Sequence, residues 1–223
     1  MAIHPRRSHL KWLALLSAIG VLTIHAGPPL MVVLGDSRHA GVGIPADWQL
    51  KEKIGKAQVA GCEENEGSCI HLTSQNSSFS LERSVAVDPA ALPYLSWDWK
   101  VTRLPANGDV RKPSTDDQAA QLLVAFSDRR VLSYIWDSNA PKGTTQSGGV
   151  IPLIRIVAVV CESGAGETNR WVTETRNVAA DYVRTFGKPA PQIKGLRLQI
   201  NTQHTGSQAE SYFGRVTFRS AAE

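Results

Sequence analysis

The sequence predicts an all-β fold, two antiparallel sheets packed as a sandwich, behind a short apolar N-terminal helix. Three observations carry this. From Trp48 onward, short alternating runs recur about every ten residues and are divided by turn-forming residues. In Leu95-Ser96-Trp97-Asp98-Trp99-Lys100-Val101 every second residue is apolar, so one strand face is buried and the other is not. The chain closes on two such runs, 193–201 and 212–218, around a polar break, an arrangement that seals a sandwich core.

At 223 residues, 42% hydrophobic and 20% charged, the chain suits one globular domain plus a targeting segment. Arg6, Arg7 and Lys11 precede an apolar run over 12–24, and Ile24-His25-Ala26 supplies a small-residue cleavage site before Gly27-Pro28-Pro29. A 13-residue helix of about 20 Å is too short for a hydrocarbon layer of about 30 Å. Residues 1–26 therefore read as a signal peptide, or an uncleaved signal anchor, that directs the protein to the periplasm or outside the cell. Membrane contact is expected only through this segment. Residues 27–47, rich in Gly and Pro, read as a linker, and 48–220 as the sandwich domain.

The strands expected in order are 48–53, 69–74, 79–87, 95–101, 121–126, 131–137, 154–160, 171–177, 193–201 and 212–218, with one short helical turn around 179–184. Leu196, Leu198 and Ile200 share a face, leaving Arg197, Gln199 and Asn201 outward. Runs 121–126 and 154–160 are apolar almost throughout, as expected for strands covered on both sides. Trp97 and Trp99, in step with Leu95 and Val101, belong to the core. Polar stretches 104–116, 138–150 and 162–170 are long loops, the usual seat of a binding site.

Removing 1–26 takes away three of 24 basic and none of 20 acidic residues, so the remainder carries a net charge near +1. With no Lys/Arg cluster, it has no electrostatic footprint for nucleic acid. Cys62 and Cys69 flank a polar loop between two strand-like runs, and in an oxidising compartment they pair as a disulfide across that hairpin. A zinc site is the weaker reading, for want of paired His spacing. Cys161 ends an apolar run and reads as a buried thiol or an intermolecular bridge. Nucleophile-elbow, His-Glu-x-x-His and phosphate-loop motifs are all missing from the sequence.

Leu95–Val101, then Asp116-Asp117-Gln118-Ala119-Ala120, Tyr134-Ile135-Trp136, Glu174-Thr175-Arg176-Asn177-Val178, Asp181-Tyr182, Phe186-Gly187 and Tyr212-Phe213-Gly214 together resemble the bacterial exported family called domain of unknown function 3047. The resemblance runs from about 48 to 218. It implies a jelly-roll sandwich similar to galactose-binding-like domains, and no assigned activity. It also implies an acidic motif after the penultimate strand. Here Asn201-Thr202-Gln203-His204-Thr205-Gly206 holds that place, with no carboxylate.

The expected role is non-catalytic binding of a carbohydrate or small polar ligand, through Tyr134, Trp136, Arg176, Asn177 and Asp181. Tyr134 and Trp136 lie one strand period apart beside a long loop. Glu174 and Arg176 share a strand face, where charges need pairing or solvent. One alternative is an envelope glycan hydrolase or lyase using Glu174 and Asp181 as paired carboxylates. Another is an interaction module presenting 142–149 to a protein partner. No cofactor is expected; the weak exception is Ca²⁺ on Asp116 and Asp117.

Overall fold

A computed structural model describes residues 1, 28–32, 44–45, 47–64, 67–148 and 153–222. The segment read as a signal, Met1 apart, and most of the 27–47 span read as a linker lie outside the described residues. Among the described residues no helix is long and apolar enough to cross a membrane.

Among the described residues the strands are β1 (Leu30–Val32), β2 (Gln49–Ile54), β3 (Gln58–Glu64), β4 (Gly67–Gln75), β5 (Ser78–Val87), β6 (Tyr94–Arg103), β7 (Ala120–Phe126), β8 (Arg130–Asp137), β9 (Thr145–Ser147), β10 (Arg155–Ser163), β11 (Val172–Asn177), β12 (Ile193–Asn201) and β13 (Gln208–Arg219), with one α-helix, α1 (Val178–Phe186), and one turn of 3-10 helix, Pro113–Thr115. They form a two-sheet sandwich of jelly-roll type. One sheet runs β11-β6-β13-β4-β3, with β1 also on β13; the other runs β2-β5-β12-β7-β8-β10-β9. β1 falls inside the span read as linker, where Leu30 pairs with Phe218 and Val32 with Val216.

Pairing is antiparallel with one exception. β10 runs parallel to β8, and β9 between them in sequence runs back antiparallel to β10. Two-residue alternation places Leu95, Trp97, Trp99 and Val101 between the sheets, all fully buried. Trp97 meets Trp99 edge-on at 5.4 Å and stacks on Tyr134 at 5.2 Å, and Trp99 lies 5.8 Å from Trp136. Burying rings of this size on facing strands ties the layers together.

The apolar runs expected to be covered on both sides are covered in part. Val110 and Ala140, from loops, pack with Ile135, Ala158 and Val160 on the outer face of the seven-stranded sheet as a second small core. Asp137 anchors this layer: one oxygen accepts the N–H of Val110 at 2.8 Å, the other those of Asn139 at 2.8 Å and Ala140 at 2.6 Å. Gly108 permits the approach, since a Cβ there would stand 2.5 Å from the Asp117 carbonyl oxygen. Beyond this layer the outer face is open among the described residues.

Candidate functional site

Four of the five residues expected to bind a ligand are brought together, at a seam between the sheets. Asn177 caps α1, accepting the Ala180 N–H at 2.9 Å, and Gly187 ends the helix in the left-handed region. The helix thereby returns Asp181 beneath Arg176. Arg176 donates through Nε and Nη2 to the two Asp181 oxygens, each at 2.9 Å; Arg184 donates at 2.9 Å and the Tyr134 hydroxyl at 3.0 Å. Asp181 is buried. Its attraction outweighs burial and raises the Arg176 pKa, while burial first and Asp181 second push the Tyr134 phenol well up. The result is an ion pair between β11 and α1 to which β8 is tied by the Tyr134 hydroxyl.

Trp136 is not part of this group. Its Nε1 donates to the Gly164 carbonyl at 3.1 Å and its ring packs on Trp99. Tyr134 and Trp136 are both fully buried, so neither ring offers a face to a ligand. The physical reason is that 134 and 136 sit on the inner phase of β8, which one-strand reasoning leaves open.

Glu174 faces a partner that sequence reasoning missed. The β8–β10 register slips between Val160, opposite Ile135, and Glu162, opposite Trp136. This bulge at Cys161 turns Glu162 inward, where it is buried and ion-paired with Lys142. Burial, then the hydrogen bond with Glu162, pushes the Glu174 carboxyl up to about 7. Glu174 Oε1 is buried without a partner. Burial likewise pushes the Cys161 thiol up, away from a reactive thiolate.

Asp117 is fully buried and capped by protein donors: Asn201 Nδ2 at 3.0 Å, Thr205 N at 2.7 Å and Thr205 Oγ1 at 2.8 Å. Asp116 accepts from Gln118 Nε2 at 2.8 Å, and burial raises its pKa. Among the described residues no group of three or more His, Cys, Asp or Glu is placed to hold a metal ion. Cys62 and Cys69 form a disulfide between register partners of β3 and β4.

The open surface lies elsewhere. Across the outer face of the seven-stranded sheet run two depressions of about 640 and about 570 Å³, which share Leu123, Ile156 and Arg197 and so form one groove. One half is lined by amides: Gln118, Gln121, Gln146, Gln199, Asn201 and Gln203. Its wall is the 104–119 layer, fastened by Asn201, whose Oδ1 accepts from Gln118 N at 3.1 Å and Gln121 Nε2 at 2.6 Å. On the floor, the Ser133 hydroxyl is buried without a partner, and Gln199 makes no side-chain hydrogen bond among the described residues. The other half has an aliphatic floor, Ala125, Val131, Ile154 and Ile156, edged by charge. Glu174 and Asp181 line neither depression. The outward phase of β12, Arg197 and Gln199, was the sequence signal for this groove. The 142–149 stretch read as partner-facing contains β9 and contributes to the groove wall through Gln146, Ser147 and Gly148.

The outer face of the six-stranded sheet differs. There His71 stacks on Tyr212 at 4.2 Å and Lys100 lies 4.2 Å over the same ring. Glu210 holds His71 and Glu64 holds Lys100 and Trp171, so these polar groups satisfy one another.

A family profile described as "Protein of unknown function (DUF3047)" matches residues 46–217, most of the chain. The chain belongs to this family. No curated protein matches this DUF3047 chain. Among solved structures it is similar to the xyloglucanase domain of NopAA, a type three effector from Sinorhizobium fredii in complex with cellobiose, at 8% identity and a TM-score of 0.48 over 81% of this chain and 97% of that one. It is also similar to the family 11 carbohydrate-binding module of the cellulosomal cellulase Lic26A-Cel5E of Clostridium thermocellum, at 11% identity and 0.44 over 86% and 96%. A third is endoglucanase cel12A from Rhodothermus marinus, at 10% identity and 0.45 over 86% and 100%.

Proposed function

We propose that this DUF3047 chain is an exported protein that binds a carbohydrate, or a similarly hydroxyl-rich ligand, along the groove of its seven-stranded sheet. One observation carries the reading: the groove floor keeps unengaged hydrogen-bonding groups, Ser133 Oγ and the Gln199 amide, within a wall of further amides. An amide donates and accepts side by side, as a hydroxyl does, so a row of them matches a row of sugar hydroxyls. A buried hydroxyl without a partner is costly until a ligand supplies one. Binding is favoured over turnover because Glu174 and Asp181, the acids that carried the hydrolase alternative, sit at the inter-sheet seam, where Asp181 is neutralised by two arginines.

Titrating the isotopically labelled chain with oligosaccharides, and following amide resonances, tests this. The expected result is millimolar or tighter binding, with shifts centred on Gln121, Ser133 and Gln199. The S133A/Q199A double variant should bind about tenfold more weakly, having lost two neutral hydrogen bonds, at an unchanged melting temperature. Absence of any shift at millimolar concentration of every glycan class, or shifts confined to Tyr134 and Arg176, would sink the reading.

A further inference from the structure

We infer that the groove's ligand is acidic, a polysaccharide whose sugars carry carboxylates, and that Arg129 anchors one of them. This rests on the reading of the groove as a carbohydrate site and names the class of sugar it takes.

The amide half of the groove says only that hydroxyls are bound; the charged half says more. Its lining includes Arg83, Arg129, Arg130 and Arg197 against Asp47 and Glu82. Most of these have protein partners. Arg197 pairs with Glu82 at 2.6 Å, Arg83 with Asp47 at 3.6 Å, and Arg130 with Asp128 at 2.6 Å. Asp128 is already shared, holding Lys188 at 2.9 Å and the Tyr182 hydroxyl at 2.5 Å. Among the described residues this end sets five cations (Arg83, Arg129, Arg130, Lys188, Arg197) against three carboxylates (Asp47, Glu82, Asp128). The excess includes Arg129, which makes no side-chain contact with a carboxylate among the described residues.

Arg129 is also held at a conformational cost. It occupies the turn between β7 and β8 at φ 65°, in the left-handed region. Of the other described non-glycine residues at positive φ, Asn76, Asn107, Asn169 and Asp47 are of the types that tolerate it, and Leu153 is not. An arginine there is strained by about 1 kcal/mol; the hairpin's backbone bonds hold the turn, Arg129 N–H to the Phe126 carbonyl at 3.2 Å and Arg155 N–H to the Arg129 carbonyl at 3.1 Å, and leave its exposed guanidinium uncommitted among the described residues. An exposed cation held at such a position in the groove's lining, with no carboxylate partner among the described residues, has the form of half of an ion pair.

The missing half has a chemistry. Beside Arg129 the floor is aliphatic, Val131, Ile154 and Ile156, which suits the C–H face of a pyranose rather than a bare anion. A ring that lies on that patch and carries a carboxylate at its edge satisfies both features. Uronic acids fit; neutral hexoses leave the arginine unpaired.

The test is calorimetry on the full chain with oligogalacturonates, oligomannuronates and oligoglucuronates, each beside its methyl ester, with neutral oligosaccharides and inorganic phosphate as further arms. At least one acid should bind roughly tenfold tighter than its ester at low salt, with the advantage shrinking as ionic strength rises. R129G should abolish the advantage while leaving the melting temperature unchanged or raised, since glycine relaxes the turn. R129K should keep part of it. Esters or neutral sugars binding as tightly as every acid would overturn the inference and leave the groove reading standing. Phosphate competing as well as the uronates would overturn it in favour of a phosphate site. No binding by any saccharide would remove the groove reading itself, and this inference with it.

Discussion

Asp181 is where the two layers meet through a single charge. Three donors converge on it from β8, β11 and α1. Replacing it by Asn leaves the half-buried Arg176 without its counter-ion, a change that costs about 3 kcal/mol and should lower the melting temperature by roughly 6–12 °C for a domain of this size. Calorimetric melting checks this, and sugar binding in the groove should survive wherever the protein stays folded. Glu174 makes the opposite kind of prediction. Its pKa is raised from 4.5 to about 7 in the folded chain, by burial and then by Glu162. A carboxyl with a raised folded pKa stabilises most when protonated in both states. Its contribution is complete below about 4.5 and is lost as pH rises through about 7. Between pH 4.5 and 8 the wild type should therefore lose on the order of 2 kcal/mol relative to E174Q, the shift being discounted for the partial exposure of the site. Urea midpoints of both proteins across that range test it, and parallel curves would refute a shared proton.

At the scale of elements, the strength of the local pattern decided what could be read. β6 and β12 were legible because one face is apolar at strict two-residue spacing; α1 was read only as a short helical turn around 179–184, and its N-cap, Asn177, was read as a ligand-binding residue. That cap is testable: N177A removes the acceptor for the Ala180 N–H and should cost about 1 kcal/mol, seen as earlier loss of helical circular dichroism on heating. β9 was not legible as a strand, and β3 only as the strand-like arm of the Cys62–Cys69 hairpin, without bounds. Half-exposed on sheet edges, with Gly61 and Glu63 in one and Thr145 and Gln146 in the other, they lack a buried face to enforce alternation. The Cys161 bulge was invisible for another reason. A bulge is defined by the register of the partner strand, which a single strand's sequence does not contain, and without it Glu162 cannot be placed beside Glu174. The same limit misassigned Tyr134 and Trp136. Alternation says that two residues share a face; it does not say which face is wet. Outward Arg197 and Gln199 were legible, but only the assembled sheet shows that they floor a groove.

For the whole molecule, the arrangement is three layers of unequal strength. The sandwich core gathers most of the large buried rings, whereas the 104–119 layer rests on the five small side chains of the second core and on hydrogen bonds to Asp137 and Asn201. Opening free energy follows buried apolar surface, so this layer should open below the global unfolding free energy. The amide half of the groove is walled by it, and the groove should come apart before the protein does. Native-state hydrogen exchange can separate the two events. The amides of Val110, Gln118 and Ala140 should exchange through a smaller opening free energy than those of Trp97 and Leu198. G108A sharpens the test. Its Cβ would meet the Asp117 carbonyl oxygen at 2.5 Å, with Pro105 and Ser138 at 3.0 Å, so the layer must distort from within while no strand of the sheets is touched. Exchange at Val110 and Gln118 should then rise by about tenfold or more, the equivalent of roughly 1.4 kcal/mol, and sugar affinity should fall. Protection at Trp97 and Leu198 should hold. Equal loss of protection in both sets would mean that wall and sandwich are one cooperative unit, and that the groove is as rigid as the core it lies on.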